Sequence, residues 1–258
     1  MKVVRRIAEL RAALEQARSR DASFGLVPTM GAFHDGHRSL FRAVREECEL
    51  VVVSLFVNPA QFEEGSDLDG YPRDLEADTA LAEEAGVDVL FTPAVVEVYP
   101  PGFQTWVEVA ELGRQLEGVH RPGHFRGVAT VCLKLFNLVR PERAYVGQKD
   151  AQQVALLRRM IRDLDLDVTL RVLPTVRDAD GLAISSRNAQ LTAEERERAR
   201  ALPRALATRD LDAARAELAG LDVDYVEVID FDPPVLAAAV RVGSTRLIDN
   251  VVLDKEQP

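Results

Sequence analysis

The run VVVSLFV at Val51–Val57 is apolar except for Ser54, and it constrains the fold more than any other stretch of the chain. A strand with one wet face alternates apolar and polar residues, whereas one without alternation is covered on both faces, as in a parallel sheet between layers of helices. The neighbouring segments agree. Phe24–Val27 precedes it as a second strand, and residues 38–47 between the two carry a helical pattern. Residues 74–85 read as a helix closed by Gly86, and a strand follows at Val87–Phe91. Residues 127–139, apolar almost all round, predict a buried helix; Arg143–Val146 a strand; 151–163 a helix; 167–172 a strand. An amphipathic helix over residues 5–18, with Ile7, Leu10, Ala13, Leu14 and Ala17 on one face, opens the chain. Strands alternating with helices predict an α/β fold built on a doubly wound parallel sheet.

After about residue 175 the texture changes. Two charged helices, 193–207 and 211–219, precede strand-like runs at Tyr225–Ile229 and Arg246–Val252. This predicts a smaller C-terminal α+β domain over 176–258 beside a larger domain over 1–175. A chain of 258 residues buries enough surface for both without disulfides or metals.

Charge then narrows the partners. A net charge of −10 argues against nucleic acid, because phosphate contacts along a strand need a basic face. It leaves room for a small anionic ligand held by a few local cations. Cys48 and Cys132 lie in apolar surroundings and read as buried free thiols, which suits the reducing cytoplasm. The N-terminal residues lack a signal-peptide apolar core, and no apolar run reaches the roughly 20 residues of a membrane span.

Three segments carry candidate chemistry. PTMGAFHDGHRSL, residues 28–40, follows a strand and enters a helix, the place where doubly wound sheets bind ligands. Gly31 and Gly36 allow a tight turn, and His34 and His37 share one side of the helix entrance, where backbone N–H groups and the dipole favour anions. Two imidazoles there can donate to polyphosphate oxygens. No third ligand stands near them, so no metal site is read. A solvated turn with incidental histidines is the alternative. VGQKDAQQ, residues 146–153, repeats the strand-to-helix handover with Lys149 as a point charge and Asp150 as a cap or ribose ligand; simple helix capping is the other reading. GLAISSRNAQLTAEE, residues 181–195, ends in a Thr192/Glu195 capping box, which leaves Ser185, Ser186 and Arg187 in a loop suited to triphosphate oxygens or merely to solvent. FVNPAQF, residues 56–62, puts the amides of Asn58 and Gln61 at a strand's carboxyl end, and EGVHRPGHFRGV, residues 117–128, gathers Arg121, His124 and Arg126 in an expected loop.

Taken in order, PTMGAFHDGH, VVVSLFVNPAQF, YPRDLEAD, LEGVHRPGHFRGVATV, KLFNLVRPERAYVGQKDAQQ and PTVRDADGLAISSRN closely resemble the pantothenate synthetase family of AMP-forming pantoate–β-alanine ligases, with a weaker likeness in DYVEVID. The resemblance implies a Rossmann-like N-terminal domain, a small C-terminal lid, a homodimer, and ligation of pantoate to β-alanine through a pantoyl adenylate. It places ATP against Met30, Gly31, Ala32, Phe33, His34, Asp35, Gly36, His37, Gly147, Gln148, Lys149, Asp150, Val176, Ile184, Ser185, Ser186 and Arg187. Pantoate falls to Gln61 and Gln153, with Gln61 shared by β-alanine. His37, His34 and Lys149 become the catalytic candidates, and Mg²⁺ rides on the nucleotide rather than in a protein cage. Gln148, Ala151 and Ala60 depart from the family's usual Glu, aromatic, and Met or Thr. Two rivals remain on the residues alone: a nucleotidyltransferase with the same loop, which would want more basic residues for a second phosphate, and a non-catalytic ATP-binding module.

Overall fold

The computed structural model describes residues 1–62, 68 and 70–253. By contacts the chain divides into two compact units. The first comprises Met1–Phe33, His37–Val146 and Leu156–Leu173; the second comprises His34–Gly36, Gly147–Ala155 and Pro174–Pro258.

The first unit runs β1 (Lys2–Val4), α1 (Ile7–Arg18), β2 (Phe24–Thr29), α2 (Asp35–Glu47), β3 (Leu50–Leu55), α3 (Leu75–Glu84), β4 (Val89–Phe91), α4 (Val95–Val98), α5 (Glu117–His120), α6 (His124–Val139), β5 (Arg143–Gly147), α7 (Ala151–Asp163) and β6 (Thr169–Leu173), except that Asp35–Gly36 of α2, Gly147 of β5 and Ala151–Ala155 of α7 fall in the second unit. Its six strands form one parallel sheet in the order β1-β4-β3-β2-β5-β6. Parallel registers pair Lys2 with Val89, Val52 with Val89, Val27 with Val53, and Leu26 with Ala144. The interior position of β3 explains its unbroken apolar run: Val51, Val52 and Val53 are fully buried. Each such side chain contributes about 1.5–3 kcal/mol on burial. From β2 the chain steps outward through β3 and β4, then returns to β5 on the other side of β2. The switch point therefore lies between β2 and β5, whose carboxyl ends are Thr29 and Gly147.

The second unit adds α8 (Ala193–Ala199), α9 (Ala201–Ala207), α10 (Leu211–Glu217), β7 (Asp222–Asp230), β8 (Pro234–Val242) and β9 (Thr245–Val252), the strands forming an antiparallel sheet in chain order. Leu202 and Leu206 of α9 pack with Leu236, Ala238 and Val240 of β8 and Leu247 of β9 in its core.

Several local expectations need correction. The helix expected over 193–207 is two helices meeting at Arg200, because Pro203 has no N–H to return to the Ala199 carbonyl. The segment 117–128, expected as a loop, is mostly helical: Pro122 and Gly123 interrupt it only briefly between α5 and α6, and His124 and Arg126 stand in α6. β8 had no counterpart in the sequence reading. Its alanines favour helix over strand in isolation, and the strand exists because it is central in its sheet, with Leu236 to Val240 buried. β1 was also missed, being only a short edge strand.

Candidate active site

Loop Met30–Phe33 leaves β2 with a backbone few residues tolerate. Gly31 has φ +87° and Ala32 φ 52°, both left-handed. A carboxylate holds it there: Asp78 of α3 accepts the Ala32 N–H at 2.8 Å and the Phe33 N–H at 2.6 Å, and is only 4% exposed. Burial pushes the Asp78 carboxyl above its ordinary value, while the two N–H groups pull it down. Asp78 escaped the sequence reading. The available signal was a charged residue on the same helix face as buried Ala82.

The two histidines differ in setting. His37 lies in the first turn of α2, its ring 5.1 Å from Phe33 and 6.4 Å from Phe41. His34, in the second unit, accepts the Gly36 N–H on Nδ1 at 3.2 Å, which leaves the proton on Nε2. A side chain at Gly36 would begin 2.9 Å from that ring, so this residue's bareness makes the arrangement possible. Burial, and then the neighbouring Lys149 charge, lower the His34 pKa below its ordinary value. Near neutrality His34 therefore offers an Nε2–H hydrogen bond rather than a positive charge.

In the second unit Lys149 is 18% exposed, with Nζ 3.7 Å from Asp150 Oδ1. A water-sized crevice of ≈10 Å³ is lined by Lys149, Ser185, Arg187 and Asn188, so residues of two separate sequence segments converge. The Ser185 hydroxyl caps the short helical turn Ser186–Gln190 by accepting the Arg187 N–H. Val176 and Ile184 meet directly, the Ile184 N–H donating to the Val176 carbonyl at 2.9 Å. That small hairpin is tied down by Arg177 on Asp249 and by Arg196 on Asp178 and Asp180.

Gln61 is buried in the first unit. Asn58 Nδ2 donates to its Oε1 at 2.9 Å, and its own Nε2 donates to Met30 Sδ at 2.9 Å. His124 Nδ1 bonds the Gln61 carbonyl at 2.8 Å, so a residue noted only as part of an expected loop fixes this backbone. Asn58 uses its whole amide, donating also to Gly127 and accepting from Ala60 N–H and the Tyr99 hydroxyl. Gln153 lies half-buried at the start of α7, in the second unit.

A sequence profile described as Pantoate-beta-alanine ligase matches residues 2–252. The chain is 50% identical to a pantothenate synthetase of Acidobacterium capsulatum, covering 96% of this chain and 95% of that one. It is likewise 50% identical to one from Corynebacterium efficiens, over 98% and 99% of the two chains. Among solved structures, a pantothenate synthetase from Thermus thermophilus superposes with a TM-score of 0.92 at 44% identity, over 98% of this chain and 99% of that one. A pantoate-beta-alanine ligase from Francisella tularensis, in complex with beta-gamma ATP and beta-alanine, gives 0.87 at 34% identity, over 98% and 97%. With every strand of both sheets and His34 and His37 inside the matched span, the chain belongs to the pantoate–beta-alanine ligase family.

Proposed function

We propose that this protein joins pantoate to β-alanine with cleavage of ATP to AMP and pyrophosphate, through a pantoyl adenylate. A free carboxylate resists attack by an amine, so the acyl group must first acquire a leaving group. A pantoate carboxylate oxygen attacks the α-phosphorus, a new P–O bond forms, and the bond to pyrophosphate breaks. The β-alanine amine then attacks the acyl carbon, losing a proton, and AMP leaves. Family membership over residues 2–252 supports the reaction, and so does the complex of the Francisella tularensis relative with beta-gamma ATP and beta-alanine. The observation that carries the site is the convergence of Lys149, Ser185 and Arg187 on one crevice.

In this reading Lys149 and Arg187 neutralise phosphate charge, Ser185 and Ser186 donate to phosphate oxygens, and His34 and His37 donate hydrogen bonds as charge builds on the transferring group. Met30 to His37, Gly147 to Asp150, Val176 and Ile184 complete the ATP contacts. Gln61 and Gln153 orient pantoate, and Gln61 also meets β-alanine. Mg²⁺ is carried by the triphosphate. The segment 176–258 serves as a lid over the larger domain of 1–175. Two buried free thiols, that of Cys132 pushed up to about 12 by burial, support residence in a reducing cytoplasm. The family resemblance supports a homodimer. Among the described residues no helix is long and apolar enough to cross a membrane.

The reaction order is testable by isotope exchange. With pantoate and Mg²⁺ but no β-alanine, labelled pyrophosphate should enter ATP, and complete turnover should release AMP in step with product. Release of ADP, or exchange that strictly requires β-alanine, would sink the adenylate route.

A further inference from the structure

The turn Gly147–Asp150 is held from behind by Asn250 of β9, which is 4% exposed. Its Nδ2 donates to the Gln148 carbonyl at 2.9 Å and to the Lys149 carbonyl at 2.9 Å, while its Oδ1 accepts from Gln148 Nε2 at 3.0 Å. Two consecutive carbonyls on one NH₂ group settle which way the amide faces. The backbone of Asn250 is fixed in turn, its N–H donating to Asp249 Oδ1 at 2.8 Å. That carboxylate, 1% exposed, is gripped by Arg177 at 2.6 and 3.1 Å. Across the sheet Asn250 faces Ala237 of β8, the central strand. A buried carboxamide is unfavourable unless satisfied. Here the bonds that satisfy it run to Gln148 and Lys149.

We infer that Asn250 is a positioning residue for the ATP step: it sets the Lys149 backbone, and through it where Nζ stands relative to the phosphates. The inference rests on the assignment of Lys149 as a phosphate contact. A charge held by its backbone is sensitive to small displacements, and a 1 Å error in an oriented group costs on the order of a hundredfold in rate.

Two variants test this. Asn250→Asp keeps the volume and turns both donors into acceptors aimed at two carbonyls; Asn250→Ala removes them. Each is measured for kcat and KM with ATP and with β-alanine, alone and combined with Lys149→Ala. Each single variant should lower kcat/KM for ATP about tenfold or more. KM for β-alanine should stay within about twofold. In the Lys149→Ala background the further loss should be far smaller, because both changes act on one contact. A merely structural role would lower kcat in proportion to the unfolded fraction, leave both KM values alone, and add to the effect of Lys149→Ala. That pattern, or unchanged kcat/KM for ATP, overturns the inference. If neither variant folds, Arg177→Lys loosens the grip on Asp249, which holds the Asn250 N–H, and should give a smaller, equally non-additive loss; additivity there overturns it too. If Lys149→Ala alone leaves ATP use intact, the Lys149 assignment falls and takes the inference with it, an outcome visible in that single variant.

Discussion

The loop Met30–Phe33 and the turn Gly147–Asp150 leave the carboxyl ends of β2 and β5, neighbouring parallel strands, yet they are fastened by opposite chemistry. A carboxylate has only acceptors, and Asp78 grips the first segment by two N–H groups. A carboxamide has donors to give, and Asn250 grips the second by two carbonyls. The difference decides what each segment has left for a ligand. The N–H groups of Ala32 and Phe33, which a helix-entrance anion site would be expected to offer, are already engaged with Asp78. Just beyond that stretch, at the entrance of α2, stand the side chains of His34 and His37. At the turn the anchor occupies carbonyls, which a phosphate would repel in any case.

If the first segment works through its side chains, His37→Ala should produce the largest effect. Adenylation should fall by roughly 10²–10³, the scale of losing one preorganised donor, with the fold intact. Adenylation within a few-fold of wild type in the folded variant would show that the segment's chemistry lies elsewhere.

A smaller effect should follow from breaking the anchor rather than the group it positions. Asp78→Asn places an NH₂ where an N–H already points, and the unmet donor should cost about 1–3 kcal/mol in chemical denaturation. The variant should also change the pH response. Burial raises the Asp78 pKa above 3.8, so the stability it contributes is complete below that value and is lost as pH rises through the raised one. In Asp78→Asn that decline in the low-pH range should vanish. Persistence of the same decline would mean that another carboxylate is responsible.

The smallest effect concerns the charge on His34. Its depressed pKa means that the stability it contributes is present above the ordinary value of 6.5 and lost as pH falls through the lowered one. The His34 ring proton resonance followed by NMR should titrate with a midpoint below 6.5. A midpoint at or above it would mean that burial and the Lys149 charge do not depress this ring.

The parallel sheet was legible in the sequence because β2, β3 and β5 are short apolar runs with turn signals at their ends, and burial on both faces leaves no polar alternation to mislead. The C-terminal sheet was half legible. β7 and β9 carry branched and aromatic residues, but β8 hides behind alanines whose local preference is overruled by their place between two strands. The candidate site divides in the same way. Glycine-rich handovers from strand to helix announce themselves locally, which is why His34, His37 and Lys149 stand out in the sequence as candidates. Asp78 and Asn250 act across 46 and 102 residues of sequence, and only the folded chain shows what they hold. Their one local trace is a polar residue where the pattern wants an apolar one: Asp78 beside the buried face of α3, and Asp249–Asn250 inside the apolar run of β9.

The two sheets also imply different orders of assembly. In the parallel sheet β1 must find β4, with Lys2 beside Val89, after the intervening chain has looped out and returned. In the C-terminal meander each strand pairs with the one just made: Asp230 sits opposite Pro234, and Val242 opposite Thr245. Loop-closure entropy grows with the length enclosed, and folding rates fall as contacts become less local. The meander is thus the part of the fold whose connections favour the fastest collapse, whereas β1 must wait for a partner that lies far along the chain.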